Sequence, residues 1–156
     1  MSTAYQTLLF SQKIGSSSSH GISRMSSHLH AISPTISTWV TGDTITVGLL
    51  PRGAIVTNVI MKAASQLDSN GAPALTLDLG VTGTTQLFKA AVTTVGRAAG
   101  ASVDTTNTAA GYLYNNTSGG DQAVVATVHA GAATPVAGTL EFDVEYYVED
   151  TPATNP

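Results

Sequence analysis

The chain contains 156 residues, of which 42% are hydrophobic and only 10% are charged, and its formal net charge is -4. This length suffices for one hydrophobic core and is short for two, so we expect a single domain. Six basic residues cannot form the clusters of Lys and Arg that nucleic acids and anionic membranes require, which excludes both as partners. The absence of cysteine excludes a disulfide framework and thiolate metal sites.

The beginning of the chain shows no export signal. Residues 1–10 lack the basic segment and the apolar run of a secretory signal, and no stretch of the sequence reaches the length of a membrane span. We therefore expect a protein that is made in the cytoplasm without a signal peptide.

Residues 1–37 are predicted to form an extended arm that is rich in serine and histidine. Lys13 and Arg24 are its charged residues, whereas all 10 acidic residues follow residue 42. An arm of this composition does not contain enough apolar surface to fold alone. Two alternatives stay open: the arm remains flexible, or it becomes ordered against a partner.

Residues 38–150 are predicted to form an all-β domain, a jelly-roll or β-sandwich of about eight antiparallel strands, followed by a C-terminal tail, residues 151–156. Short alternating or β-branched runs recur here between turn residues, which is typical of these folds. The predicted strands cover residues 43–50, 54–63, 75–79, 85–88, 111–114, 124–129 and 138–150. A helical turn within residues 88–100 is the less favoured alternative for that segment.

The last predicted strand has two faces of different character. One face is apolar or aromatic, and the other is mostly acidic, with the residues Glu141, Asp143, Glu145, Tyr147 and Glu149. This alternation predicts a half-buried strand with a negative strip on its outer face. Water or a basic partner must lie over the strip, because like charges along one strand face repel each other.

Histidine is the usual base of a nucleophilic triad, and it is scarce in the predicted domain. Three of the four histidines lie in the arm, which leaves His129, near the end of a predicted strand. The acidic strip is open, so it lacks the burial that the catalytic acid of a glycosidase requires. We therefore predict that the chain is not an enzyme and has no small-molecule substrate.

His28 and His30 are the strongest candidates for metal ligands. Alternate residues of an extended segment face the same side, so both imidazoles could bind zinc or nickel. No carboxylate or thiolate lies near them in the sequence, so we expect no metal and no cofactor. Asp68 and Asn70 resemble the start of a calcium loop, but the later oxygen ligands are missing, which predicts a simple turn.

Aromatic residues offer a further alternative. Tyr112 and Tyr114 share one face of a predicted strand, and Trp39 lies where the arm meets the domain. Exposed rings would stack on sugars in a carbohydrate-binding or receptor-binding module, whereas buried rings would belong to the core or to a subunit interface. The second interpretation is favoured.

Three segments between residues 42 and 149 resemble small structural proteins of tailed bacteriophages. They are the turn L-P-R-G-A at residues 50–54, the strand T-L-D-L-G at residues 76–80 and the alternating strand from residue 138. Such proteins resemble capsid decoration, or cement, proteins, which are jelly-roll domains, often homotrimers, that hold neighbouring capsomers together. The resemblance implies a structural virion protein on the capsid surface, made in the host cytoplasm. Its implied partners are the major capsid protein and copies of itself, and no catalytic residue is implied.

A role on a lattice would give the arm a binding place. We expect the arm to lie along the acidic strip of an adjacent subunit, where its basic side chains meet carboxylates and where protonated histidines strengthen the attraction in mild acid. Two alternatives stay open: a tail or neck subunit of the same kind of particle, and a carbohydrate-binding or receptor-binding β-module. The predicted interface residues are Arg24, His28, His30, Trp39, Glu141, Asp143 and Glu145.

Overall fold

The structure is a computed structural model that describes residues 3–6, 8–19, 22–106 and 113–149, with side chains for residues 3–4, 27–104 and 113–148. No helix among these residues is long and apolar enough to cross a membrane.

The described residues form eleven strands. They are β1 (Ala4–Gln6), β2 (Leu8–Ser19), β3 (Ile22–Ile32), β4 (Thr44–Leu50), β5 (Ala54–Ala63), β6 (Thr76–Val81), β7 (Thr84–Val92), β8 (Ser102–Thr106), β9 (Tyr114–Asn115), β10 (Gln122–Ala130) and β11 (Leu140–Glu149). The predicted arm contributes β1–β3, and the predicted domain contributes the other eight.

The strands pair into two sheets. The first sheet has the order β1-β4-β10-β6-β7, and the second has the order β2-β3-β11-β5-β8, with β9 also paired to β5. The pairs are antiparallel except for β1 and β4, which run parallel. The predicted all-β fold, a β-sandwich or jelly roll, is confirmed.

Buried side chains from both sheets form one hydrophobic core. Leu77 and Leu79 of β6 and Phe142 and Val144 of β11 are fully buried members of it. Burial of one side chain of this size contributes about 1.5–3 kcal/mol relative to leaving it exposed. The inward face of β11 is therefore the apolar face that its alternation indicates, and the acidic positions lie on the outer face.

The predicted arm is extended, and its last strand is packed into the sandwich. β3 lies between β2 and β11, and Leu29, Ala31 and Ile36 are buried in the core. A Cβ at Gly48 of β4 would collide with the Leu29 side chain, so glycine at this position makes room for a residue of the arm. The division of the chain at residue 37 stays a prediction, but the core includes side chains from before it.

Residues 88–100 contain the end of a strand and a series of turns rather than a helix. After β7 ends at Val92, the chain turns through Gly96 and Gly100, which both have positive φ angles. Tyr112 lies outside the described residues. The Tyr114 ring meets Phe88 of the first sheet edge-on, with ring centroids 6.2 Å apart, as expected of a residue that packs against the core.

Candidate functional site

The outer face of the second sheet carries five histidine and carboxylate side chains, which we call the His-carboxylate cluster. His28 and His30 come from β3, and Glu141, Asp143 and Glu145 come from β11. In the antiparallel register Asp143 lies opposite His30, and Glu145 lies opposite His28. Directly opposite residues of paired strands point to the same side of a sheet, so the fold gathers these five side chains on one face.

The pairing of β3 with β11 brings imidazole nitrogens to carboxylate oxygens. His30 Nδ1 lies 2.7 Å from Asp143 Oδ1, and His28 Nε2 lies 3.1 Å from the same oxygen. His30 Nε2, on the other side of the ring, lies 3.7 Å from Glu141 Oε1. Asp143 thus stands between two histidines, and His30 stands between two carboxylates.

The cluster is partly open to solvent. The His30 side chain is 25% exposed and the His28 side chain is 41% exposed, and Glu145 is exposed as well. Ion pairs at such positions contribute about 0.2–1 kcal/mol each, which is small beside the burial of the core. The cluster therefore does not determine the fold; it offers nitrogen and oxygen donors that a solute or a partner can reach.

A basic side chain flanks the acidic strip on the side away from the arm. Lys62 of β5 is exposed and lies opposite Glu141 in the register of β5 with β11. The strip therefore lies between histidines on one side and a lysine on the other. This face therefore does not have a uniform negative potential. The opposite charges of Lys62 and Glu141, on neighbouring strands, attract each other.

Two of the predicted interface residues lie outside this cluster. Arg24 stands opposite Glu149 at the far end of the β3–β11 ladder, and its side chain is outside the described part. Trp39 is only 2% exposed, and its indole N–H donates a hydrogen bond to the Val136 carbonyl at 3.0 Å. The structure thus places Trp39 in the core and not on a surface that a neighbouring subunit can reach.

The arm meets the acidic strip within a single chain. The sequence interpretation placed the arm on the strip of an adjacent subunit, whereas β3 is paired with β11 of its own chain along Glu141 to Glu149. The carboxylates that His28 and His30 lack nearby in the sequence are thus supplied by the fold. His30 and Asp143, for example, are 113 residues apart in the sequence.

The sequence interpretation missed the role of the buried Asp68. Its carboxylate accepts hydrogen bonds of 2.8–3.2 Å from the backbone N–H groups of Asn70, Ala74, Leu75, Ala133 and Thr134. Burial alone would raise the pKa of Asp68, but these hydrogen bonds outweigh it and hold the pKa well below its usual range. The D-S-N-G sequence indicates the turn, but nothing in it indicates the distant donors.

Asp78 holds an irregular part of β7. Its carboxylate accepts a hydrogen bond of 2.7 Å from the N–H of Ala91, whose φ of 47° is unusual for a residue with a side chain. Gln86 Nε2 and His129 Nδ1 each lie 3.0 Å from the other oxygen. Burial would raise the pKa of Asp78, but the hydrogen bonds and His129 lower it overall. His129 is therefore the partner of a structural carboxylate.

Solved structures of phage capsids are similar to the chain over most of its length. A chain from the capsid asymmetric unit of cyanophage Pam1 is 32% identical, with a TM-score of 0.64, and the match covers 85% of this chain and 91% of that one. This chain belongs to a family of phage capsid proteins. A chain from the capsid of Ralstonia phage GP4, 27% identical with a TM-score of 0.59, matches over 82% of this chain and 85% of its own.

As a phage capsid protein, the chain has a structural role. No protein-family model matches it, and neither does any curated protein.

Proposed function

We propose that the chain is a decoration protein, which binds the outer surface of a phage capsid and stabilises the contacts between capsid subunits. The observation that carries this proposal is the match that covers 91% of a chain from the Pam1 capsid. That chain is therefore about as long as this one, and a single β-sandwich of this size suits a subunit added to a lattice. Such a role requires no catalytic residue, cofactor or substrate.

The low charge of the chain supports contacts with other subunits. With 10% charged residues, much of the surface can be covered by neighbours without the desolvation of many charges. Repetition on a lattice then strengthens weak contacts through effective concentration. In this proposal the partners are the major capsid protein and copies of the chain, assembled as a homotrimer at the virion surface, and nucleic acid and membrane are not partners.

We assign the lattice contact to the outer face of the second sheet. Glu145 and Lys62 are exposed there, and they lie on β11 and β5, which are paired along most of their length. Charges of both signs at fixed positions favour one orientation of a partner over others. This face therefore combines a framework of paired strands with exposed charges of both signs.

A charge reversal at Glu145 tests this assignment. Glu145→Lys is expected to weaken binding to capsids stripped of the protein by at least about tenfold, because an unfavourable contact is repeated at every site. Asp121→Lys makes the same charge change at an exposed residue before β10 of the first sheet and should bind as the unchanged protein does. Co-sedimentation with capsids measures both.

Two results would contradict the proposal. Equal binding by Glu145→Lys and Asp121→Lys would exclude this face as the contact. Binding of the unchanged protein to isolated tails and not to capsids would favour a tail or neck subunit.

Deletion of residues 1–37 is a less specific experiment. It removes β1–β3, takes Leu29, Ala31 and Ile36 from the core, and leaves the edge of β11 unpaired and prone to aggregation. Loss of binding after this deletion would therefore not distinguish a missing contact from a damaged fold.

A further inference from the structure

We propose that the His-carboxylate cluster binds one divalent transition-metal ion of the zinc type between β3 and β11. His30, Glu141 and Asp143 form the ligand core, because each offers a nitrogen or oxygen atom and these atoms lie within 4.8 Å of one another. His28 supplies a second imidazole, whose Nε2 lies 3.1 Å from Asp143 Oδ1. This inference does not depend on the proposed decoration function.

The separations of the donor atoms suit a tetrahedral ion. Zinc binds histidine nitrogen and carboxylate oxygen at about 2.0–2.2 Å, which places neighbouring ligand atoms about 3.3 Å apart. His30 can bind one ion through only one of its two ring nitrogens. Its Nδ1 and His28 Nε2 lie 2.7 and 3.1 Å from Asp143 Oδ1, close to that value, whereas Glu141 Oε1 lies 3.7 Å from the other nitrogen of His30, Nε2. His30, Glu141 and Asp143 each place one ligand atom within 4.8 Å of the others, so rotations of these side chains would bring three donors around one ion, and the fourth position would be taken by water or by His28 beside Asp143.

The two strands fix the ligands before an ion binds. Each strand contributes alternate residues, His28 and His30 from β3 and Glu141 and Asp143 from β11, and the register sets Asp143 opposite His30. A paired sheet backbone loses little conformational freedom on binding, so little of the binding free energy is lost to ordering of the chain. The partial exposure of these side chains leaves a route for the ion from solvent.

The donor types select the class of ion. Imidazole nitrogen combined with carboxylate oxygen suits zinc, nickel and cobalt, whereas magnesium and calcium prefer shells of oxygen alone. Two carboxylate charges also balance the charge of a divalent ion. Among the residues that the structure describes, this is the one group of three His, Asp or Glu side chains with donor atoms so close together.

A metal ion at this position would join the arm to the domain. It would bridge β3, from the predicted arm, and β11, from the predicted domain. Because the ion binds the paired strands and not the unfolded chain, it stabilises the folded state, and the stabilisation grows with the logarithm of the ion concentration once the site is filled.

The test is a calorimetric titration of full-length protein, prepared without a polyhistidine tag and treated with chelator, with zinc chloride. We expect saturable binding of one ion per chain, a melting temperature that rises with zinc concentration, and no competition from excess magnesium. His30→Ala and Asp143→Asn should each weaken zinc binding by at least about tenfold. The matched control is His129→Ala, which removes a histidine paired with a single carboxylate, Asp78, and should bind zinc as the unchanged protein does.

Cobalt provides a second readout that does not depend on variants. Tetrahedral Co²⁺ absorbs visible light much more strongly than octahedral Co²⁺, so the unchanged protein should develop a strong band at one equivalent. Absence of saturable zinc binding, or zinc binding by His30→Ala and Asp143→Asn equal to that of the unchanged protein, would overturn the proposal. An octahedral cobalt spectrum would also overturn it.

Discussion

Two buried aspartates connect segments that are far apart in the sequence. Asp68 joins its own turn to residues 133–134, and Asp78 holds Ala91 of β7 in an unusual conformation. The turn at Asp68 follows from local residue types, because Asp, Asn and Gly favour turns. The donors at residues 133–134 could not be predicted, since their position depends on the folded arrangement of the strands.

Replacement of Asp68 by Asn is expected to lower the free energy of unfolding by about 3 kcal/mol, since it removes a charged acceptor from several buried N–H groups and introduces an N–H donor among them. Urea denaturation measures the change. The control Asp121→Asn alters an exposed residue and should change stability by less than about 0.5 kcal/mol. Equal stability of the Asp68 variant and the unchanged protein would contradict the structural role of this carboxylate.

Folding stability is expected to decrease in acid, because the pKa values of both Asp68 and Asp78 are lowered in the folded protein. An unfolded chain takes up protons near the ordinary Asp pKa of about 3.9, before the folded protein does, so acid favours unfolding. Stability should be complete above about pH 5 and fall as the pH drops below about 4. Thermal melts at a series of pH values measure this decline, which should be shallower in Asp68→Asn. A melting temperature that stays constant to about pH 3 would show that neither carboxylate contributes in this way.

The strands differ in how clearly their sequences predict them. β4 and β11 alternate between apolar and polar residues, so their inner and outer faces could be predicted. Serine and histidine make up five of the eleven residues of β3, and the place of β3 in the sheet comes from pairing with β2 and β11, which no local pattern indicates. The predicted arm is for this reason more closely packed than its composition suggests.

The T-L-D-L-G segment, which carried part of the resemblance, has a physical explanation. Asp78 accepts the Ala91 N–H, and a Cβ at Gly80 would collide with the backbone carbonyl of Thr84. Glycine is therefore required where β7 folds back tightly on β6. The residues of this motif are thus explained by the close pairing of β6 with β7, and no chemical activity is needed to explain them.

The contribution of β3 to the stability of the core can be measured by replacement of Leu29. Leu29→Ala should lower the free energy of unfolding by about 2–5 kcal/mol, because it leaves a cavity where the arm enters the core. Leu49→Ala is the control, since Leu49 of β4 is 57% exposed, and it should have little effect. Urea denaturation compares the two, and protease digestion should cleave the arm of Leu29→Ala sooner. Equal stability of the two variants would indicate that the arm is not anchored by this residue.

At the scale of the whole molecule, the pattern of short alternating segments predicted an all-β fold, the resemblance to phage structural proteins predicted a structural role, and the solved capsid structures show the family. The His-carboxylate cluster could be predicted only in part. The sequence led us to expect the arm histidines against the acidic strip, but on an adjacent subunit. Near His28 and His30 in the sequence there is no carboxylate, and the two strands that carry the cluster are separated by most of the chain. Only the pairing of β3 with β11 shows that these histidines have carboxylate partners within their own chain.

The most direct measurement is a cryo-electron microscopy reconstruction of the purified phage particle that carries this chain. The proposed function predicts many copies of the two-sheet sandwich on the outside of the head, grouped in threes, with the outer face of the second sheet against neighbouring subunits. Density for the sandwich in the tail or neck, with none on the head, would contradict it.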